Sequence, residues 1–130
     1  MASILTIPQF KDDKGSVVVM DKIQELIPFT VKRIFFITAK DNTPRGRHRH
    51  INTLQAAMCI HGQCIISVND GVRKRDFILD DPSKCVTLTT ADWHMMHSFS
   101  ENAVLCVFAS ENFDANDYIR EPYKNHYDTV

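Results

Sequence analysis

A series of short apolar or β-branched runs, separated by turn-forming residues at the spacing of β-hairpins, constrains the fold most strongly. Asn69-Asp70-Gly71, for example, is a strong hairpin signal between two of these runs. The runs cover residues 16–20, 29–38, 54–60, 63–69, 72–79, 85–89, 93–99 and 103–109. Roughly eight short strands with little helical periodicity and no internal repeat predict an all-β barrel or sandwich, and we expect a double-stranded jelly roll.

The C-terminal segment and the length of the chain add expectations about helix content and the number of domains. Residues 112–120 are compatible with a short C-terminal helix, whereas His61 and His126 are expected to be solvated in a turn and in the tail. A chain of 130 residues is large enough for one hydrophobic core. We therefore expect residues 1–130 to form a single domain.

Composition argues against several classes of partner. The formal net charge of −1 provides no general attraction to nucleic acid, and no apolar run approaches the ~20 residues of a membrane span. The N-terminus lacks the pattern of a signal peptide, which favours a cytoplasmic location. The four cysteines have no zinc-knuckle spacing, so we expect buried thiols in a reducing compartment.

The most distinctive polar stretch is Arg45-Gly46-Arg47-His48-Arg49-His50. If His50 begins the strand that continues to Ile60, residues two apart point to one side, so His48 and His50 face the same way. The alternative is a polar loop with solvated imidazoles. The first interpretation predicts two histidines that look into the space enclosed by the sheet.

Arg33 is a second candidate for function. The alternation of residues 29–38 places it on the same face as Val31, Phe35 and Ile37. It either extends over apolar neighbours to reach water or reaches into a pocket to hold an anion.

Several motifs together resemble a known family. Gly46-x-His48-x-His50 with Gln55 and Gly62 resembles the first cupin motif, and Trp93-His94 falls where the second motif supplies its histidine. The same segments, together with residues 32–37 and 117–120, are similar to the sugar-nucleotide 3,4-ketoisomerases from about residue 14 to residue 123. This resemblance implies a cupin-like jelly roll, related to RmlC, that acts on dTDP-4-keto-6-deoxyglucose in deoxysugar biosynthesis for surface glycans.

The resemblance also implies roles for individual residues. His50 is expected to be the principal base that moves the C3 proton, and His48 to orient it or complete proton delivery. His94 or Arg45 would stabilise the oxyanion. The residues expected to bind substrate are Arg33, Arg45, Gln55, His94, His97 and Lys14, with Arg33, Arg45 and Lys14 directed at the diphosphate.

Three features bear on metal and product. Metal-binding cupins carry a glutamate where this chain has Gln55, and the ketoisomerases are taken to work without metal or another cofactor. His97 stands at a position where a histidine is similar to family members that give the galacto-configured 3-keto product. Phenylalanines at positions 35 and 36 stand where family members carry a tyrosine.

Two other functions remain open. The first is a metal-dependent, dioxygenase-like cupin that uses His48, His50 and His94. The second is a sugar-nucleotide-binding cupin without catalysis.

The N-terminal part of the chain bears on assembly. The apolar run 16–20 needs burial on both faces. The resemblance implies a homodimer that exchanges N-terminal strands, with residues before about Pro28 added to the partner's sheet.

Overall fold

The computed structural model describes residues 1–125, which form twelve β-strands and very little helix. The strands are β1 (Ser3–Thr6), β2 (Gln9–Asp12), β3 (Gly15–Val18), β4 (Arg33–Ile37), β5 (Arg45–His50), β6 (Gln55–His61), β7 (Cys64–Asn69), β8 (Lys74–Leu79), β9 (Lys84–Leu88), β10 (Trp93–His97), β11 (Val104–Ala109) and β12 (Tyr118–Ile119). The helical pieces are α1 (Ile23–Leu26) and a 3₁₀ turn (Lys40–Asn42). His126 lies outside the described residues.

Ten of the strands form two five-stranded antiparallel sheets. Sheet I has the order β1-β9-β6-β11-β4, and sheet II has the order β12-β5-β10-β7-β8. Strands β2 and β3 pair only with each other, as a separate hairpin. The prediction of an all-β jelly-roll architecture is confirmed.

The hydrophobic core lies between the two sheets. Period-two alternation turns Ala57 and Cys59 of β6 inward from sheet I, where they meet Ile66 and Val68 of β7 from sheet II. Burial of such side chains is the main stabilising contribution, roughly 1.5–3 kcal/mol for each large one. All four cysteines are buried free thiols, as predicted.

The end of β3 and the segment that follows it cover the outer face of sheet I. Val18 and Ile27, with Met20, pack against Met58 and Phe108 in a second apolar cluster. The opposite side of the β2–β3 hairpin is exposed. Phe10 and Val17 pair across the hairpin there, and their exposed fractions are 66% and 61%.

Two sequence-based predictions about elements are wrong. Residues 112–120 contain a turn followed by β12, which pairs with β5, and not a C-terminal helix. His50 does not begin the strand that runs to Ile60, since β5 ends at His50 and β6 belongs to the other sheet. No helix within residues 1–125 is long and apolar enough to cross a membrane.

Candidate active site

A cavity of about 240 Å³ opens between the two sheets. Sheet I contributes β4 and β6, and sheet II contributes β5, β10 and β12. Its lining consists of Phe35, Phe36, Ile37, Arg45, Gly46, His48, His50, Gln55, His94, Met96 and Tyr118. Of the residues expected to bind substrate or act in catalysis, the structure thus brings together His48, His50, His94, Gln55 and Arg45.

An irregularity in β5 and β10 positions two of the histidines. His48 lies opposite His94 in the register, and the pairing shifts immediately after His94. Gly46 and Arg47 both have positive φ, at 86° and 64°. A Cβ on Gly46 would lie 2.9 Å from the Met96 sulfur and 3.1 Å from the His94 carbonyl oxygen, so only glycine fits there.

Each of the three imidazoles is held through its Nδ1 atom. His48 Nδ1 lies 3.0 Å from the Gly46 carbonyl oxygen, His94 Nδ1 lies 2.9 Å from the Asp92 carbonyl oxygen, and His50 Nδ1 lies 3.0 Å from the Asp117 carboxylate. Because these oxygens only accept, Nδ1 carries the proton and Nε2 of each neutral ring presents a lone pair.

The free nitrogens converge. One ring nitrogen from each of His48, His50 and His94 lies within 4.8 Å of the others. Nε2 of His50 and Nε2 of His94 are buried without a hydrogen-bond partner among the described residues. The cavity therefore contains a set of proton acceptors and, contrary to one sequence-based expectation, a neutral His94 offers no N–H to an oxyanion.

Burial keeps these rings neutral. Desolvation, with the neighbouring His94 and His50, lowers the pKa of His48 to about 3. Desolvation lowers the pKa of His94 to about 4 against the opposing effect of the Asp92 carbonyl. Desolvation also lowers the pKa of His50, although the hydrogen bond and the charge of Asp117 act in the opposite direction.

Asp117 is a site residue that the sequence did not reveal. Burial acts to raise its pKa, but hydrogen bonds from the Thr53 hydroxyl, the Asn52 N–H and His50 outweigh burial and lower it. The side chain is therefore an ionised carboxylate in contact with His50, an arrangement that fixes the ring and its tautomer. The available signal is the family resemblance of residues 117–120, but the local pattern of residues 112–120 predicts a helix there.

The cationic candidates differ in placement. The Arg33 guanidinium lies 5.1 Å from the Phe35 ring centroid and 5.7 Å from that of Phe113. Its Nε is buried without a hydrogen-bond partner among residues 1–125. Its charge contributes to lowering the pKa of His50. Arg45 donates to the Thr38 carbonyl at 2.7 Å at the cavity wall. Lys14 lies at the β2–β3 turn and does not line the cavity of its own chain.

The expectation that His97 faces the substrate is not supported by its position. It follows Met96 on β10, its Nε2 lies 2.7 Å from the Ser67 hydroxyl, and its Nδ1 lies 2.9 Å from the Ser98 hydroxyl. The residue that lines the cavity beyond His94 is Met96. Alternation along β10 places residues 94 and 96 on one face and residue 97 on the other.

Comparison with known proteins decides the family. The family model described as FdtA, WxcM-like C-terminal, matches residues 1–129. The chain belongs to the FdtA family. A curated relative, TDP-4-oxo-6-deoxy-alpha-D-glucose-3,4-oxoisomerase from Aneurinibacillus thermoaerophilus, is 34% identical over 119 residues, which cover 91% of this FdtA-family chain and 85% of the relative.

Solved structures extend this result. QdtA, a sugar 3,4-ketoisomerase from Thermoanaerobacterium thermosaccharolyticum in complex with TDP, is 30% identical with a TM-score of 0.85, and the match covers 92% of this chain and 88% of QdtA. WlaRB, a TDP-quinovose 3,4-ketoisomerase from Campylobacter jejuni, is 34% identical with a TM-score of 0.82, and the match covers 92% of both chains. The predicted family of sugar-nucleotide 3,4-ketoisomerases is confirmed, and this FdtA-family member is an enzyme.

Proposed function

We propose that this enzyme converts a dTDP-linked 4-keto-6-deoxyhexose, dTDP-4-keto-6-deoxy-D-glucose in the first instance, into the 3-keto isomer by acid-base proton transfer. The observation that carries the proposal is the Asp117–His50 pair, whose free Nε2 is buried in a cavity about 240 Å³ in volume. The relatives named above are isomerases of TDP-linked sugars. The reaction moves protons within one molecule and needs no external oxidant.

His50 acts as the base in this proposal. An ionised Asp117 holds Nδ1–H, so Nε2 is free to take the proton from C3 and later to return a proton at C4. The carboxylate also stabilises the imidazolium that forms in between. His48, whose ring centroid lies 5.0 Å from that of His50, orients the ring or assists proton delivery.

The diphosphate requires positive charge at the cavity mouth. Arg33 and Arg45 border the site, and neither forms an ion pair with a carboxylate within residues 1–125. A further guanidinium, Arg120, lies 5.5 Å from the Tyr118 ring centroid and contributes to lowering the pKa of His48. We assign these arginines to the anionic part of the ligand and Gln55 to the sugar, with Lys14 able to serve only a neighbouring chain.

The product is proposed to be the galacto epimer, on the family resemblance alone. His97, on which that resemblance rests, faces Ser67 outside the cavity. A direct contact between His97 and the sugar is therefore excluded from the proposal, and any influence on the C4 face would pass through β10 and Met96.

Metal-dependent chemistry is the second candidate, because three neutral imidazoles with converging lone pairs also suit a transition metal. The position of a fourth protein ligand is taken by the amide of Gln55, which is a weaker ligand than a carboxylate. We propose that turnover is independent of metal.

Assembly is the last part of the proposal. The β2–β3 hairpin joins neither large sheet and presents Phe10 and Val17 to solvent. Burial of these side chains against a second copy would complete the N-terminal region as an isologous homodimer. Because β1 already pairs with β9 of its own chain, the exchanged element in this proposal is the hairpin.

One experiment tests the activity and the candidates together. Purified protein is incubated with dTDP-4-keto-6-deoxyglucose, the product is followed by NMR, and the metal content is measured on the same sample. We expect a 3-keto product with C4 in the galacto configuration and no loss of rate with chelator. Loss of the rate with chelator, together with about one metal per chain, would favour the metal-dependent candidate, whereas binding without turnover would favour a binding protein.

A further inference from the structure

The proposed isomerisation needs two proton transfers, and the histidines of the cavity account for only one of them. Isomerisation relocates two protons, one from C3 to C4 and one from the oxygen on C3 to the oxygen on C4. His50 accounts for the carbon-bound proton. The Nδ1–H groups of His48 and His94 point at the carbonyl oxygens of Gly46 and Asp92, so these rings present only their Nε2 lone pairs and leave the oxygen-bound proton without a donor.

Few lining residues can supply this proton. The donors that line the cavity within residues 1–125 are the guanidinium of Arg45, the amide of Gln55 and the phenol of Tyr118. A guanidinium stays protonated in proteins and an amide does not exchange its proton as an acid, so both can hydrogen-bond but neither can give up a proton and recover it. A phenol can do both.

The surroundings of Tyr118 suit that task. Its ring centroid lies 4.7 Å from that of His50 and 4.8 Å from that of His48, so the phenol belongs to the wall that holds the base. The Arg120 guanidinium lies 5.5 Å from the ring centroid, so a positive charge stands beside the phenol. β12 fixes the residue by pairing Tyr118 with His50 in the register.

We propose that Tyr118 is a further catalytic residue that carries the oxygen-bound proton; this inference rests on the proposed function. As His50 Nε2 takes the C3 proton, the C–H electron pair forms the C3–C4 double bond and the carbonyl pair moves to O4, which takes the phenol proton. The phenolate then removes the proton from O3, C3 becomes the ketone, and C4 receives the proton held on His50. Both residues return to their starting states.

Tyr118→Phe tests this inference because it keeps the ring against both imidazoles and removes only the hydroxyl. We expect kcat to fall by about 10²-fold or more, while KM and the dissociation constant for TDP change less than about threefold. Tyr123→Phe is the matched control, since the Tyr123 hydroxyl donates to the Ala91 carbonyl at 2.7 Å away from the cavity. The control should retain the kcat of the wild type.

The outcomes are distinct. A Tyr118→Phe enzyme that binds TDP normally and keeps kcat within about threefold of wild type would overturn the inference and leave the proposed function standing. If Tyr118→Phe does not fold, as judged by melting temperature, replacement of the tyrosines of the wild-type chain by 3-fluorotyrosine decides, because it keeps the ring and the hydroxyl and makes the phenol more acidic. A shifted pH profile of kcat would support the role of Tyr118, and an unchanged profile would overturn it. A wild-type chain that binds but never isomerises the sugar would overturn both the proposed function and the inference.

Discussion

At the scale of single residues, the site depends on which nitrogen of each histidine carries a proton. The carbonyl oxygens of Gly46 and Asp92 and the carboxylate of Asp117 each engage an Nδ1 atom. A backbone carbonyl is a neutral acceptor, whereas Asp117 also supplies charge that stabilises an imidazolium. His50 is for this reason the best base among the three imidazoles, each of which is held through its Nδ1 atom.

Asp117→Asn should remove that distinction. The amide of asparagine can direct an N–H at Nδ1, which favours the wrong tautomer and places a proton on Nε2. We expect kcat to fall by about 10²-fold or more, measured by the same NMR assay. Asp80→Asn, which changes an exposed carboxylate on a distant turn, is the control, and equal losses in both variants would contradict a role for the His50 contact.

The pH dependence of kcat/KM follows from the lowered pKa of His50. The base must be neutral, and a folded pKa below the ordinary value of about 6.5 keeps it neutral to lower pH. We expect kcat/KM to remain level as pH falls towards 6.5 and to decline only below that value. A decline with its midpoint above pH 7 would show that the His50 pKa is raised and that the charge of Asp117 prevails over burial.

At the scale of elements, the irregular start of β5 determines the cavity. Gly46 lies where a side chain would strike the Met96 sulfur and the His94 carbonyl, so β5 and β10 approach each other unusually closely. That approach brings His48 opposite His94 and delivers both rings to one face. The irregularity is thus what converts a polar strand into a histidine cluster.

Gly46→Ala should disturb this approach. The new Cβ would be strained by the positive φ and by the contact with β10. We expect a loss of stability of about 1–3 kcal/mol and a matching fall in melting temperature, together with lower activity. Gly15→Ala has a positive φ but no atom within 4 Å of its Cβ, so an equally large effect there would show that the contact with β10 contributes nothing.

The sequence predicted the elements that local pattern determines. The local pattern predicted β3, β4, β6 to β9 and β11, and it placed Arg33 with Phe35 on the inward face of β4, whereas β1 and β2 were not predicted. It could also have placed Met96 rather than His97 beside His94, because these residues stand two and three apart. Strand β12 has only two residues and hence no periodicity, so its pairing with β5, and with it the role of Asp117, depends on long-range contacts that the local sequence does not encode.

At the scale of the whole molecule, the N-terminal region has two kinds of surface. Val18 and Met20 cover the outer face of sheet I within the chain, whereas Phe10 and Val17 form an apolar pair in solvent. An exposed hairpin with an apolar face favours pairing with another chain. The predicted burial of residues 16–20 is therefore met within the chain on one face, whereas Val17 on the other face is exposed.

The double variant Phe10→Ser and Val17→Ser tests this assembly. Removing the exposed apolar pair should weaken the homodimer without loosening the core, so sedimentation at micromolar concentration should show a shift from dimer to monomer. Val72→Ser changes a side chain that is 84% exposed on another hairpin and serves as the control. A wild-type chain that sediments as a 14.9 kDa monomer would contradict the homodimer.

The most direct test of the account is exchange of the C3 proton with solvent deuterium, followed by NMR on dTDP-4-keto-6-deoxyglucose in heavy water. Wild-type enzyme should incorporate deuterium at the carbon positions through which the ketone moves. His50→Asn should slow this exchange by about 10²–10⁴-fold while its affinity for TDP stays close to that of the wild type, because the base is lost and the arginines remain. Exchange at the wild-type rate in His50→Asn would show that another group removes the proton and would contradict the central claim.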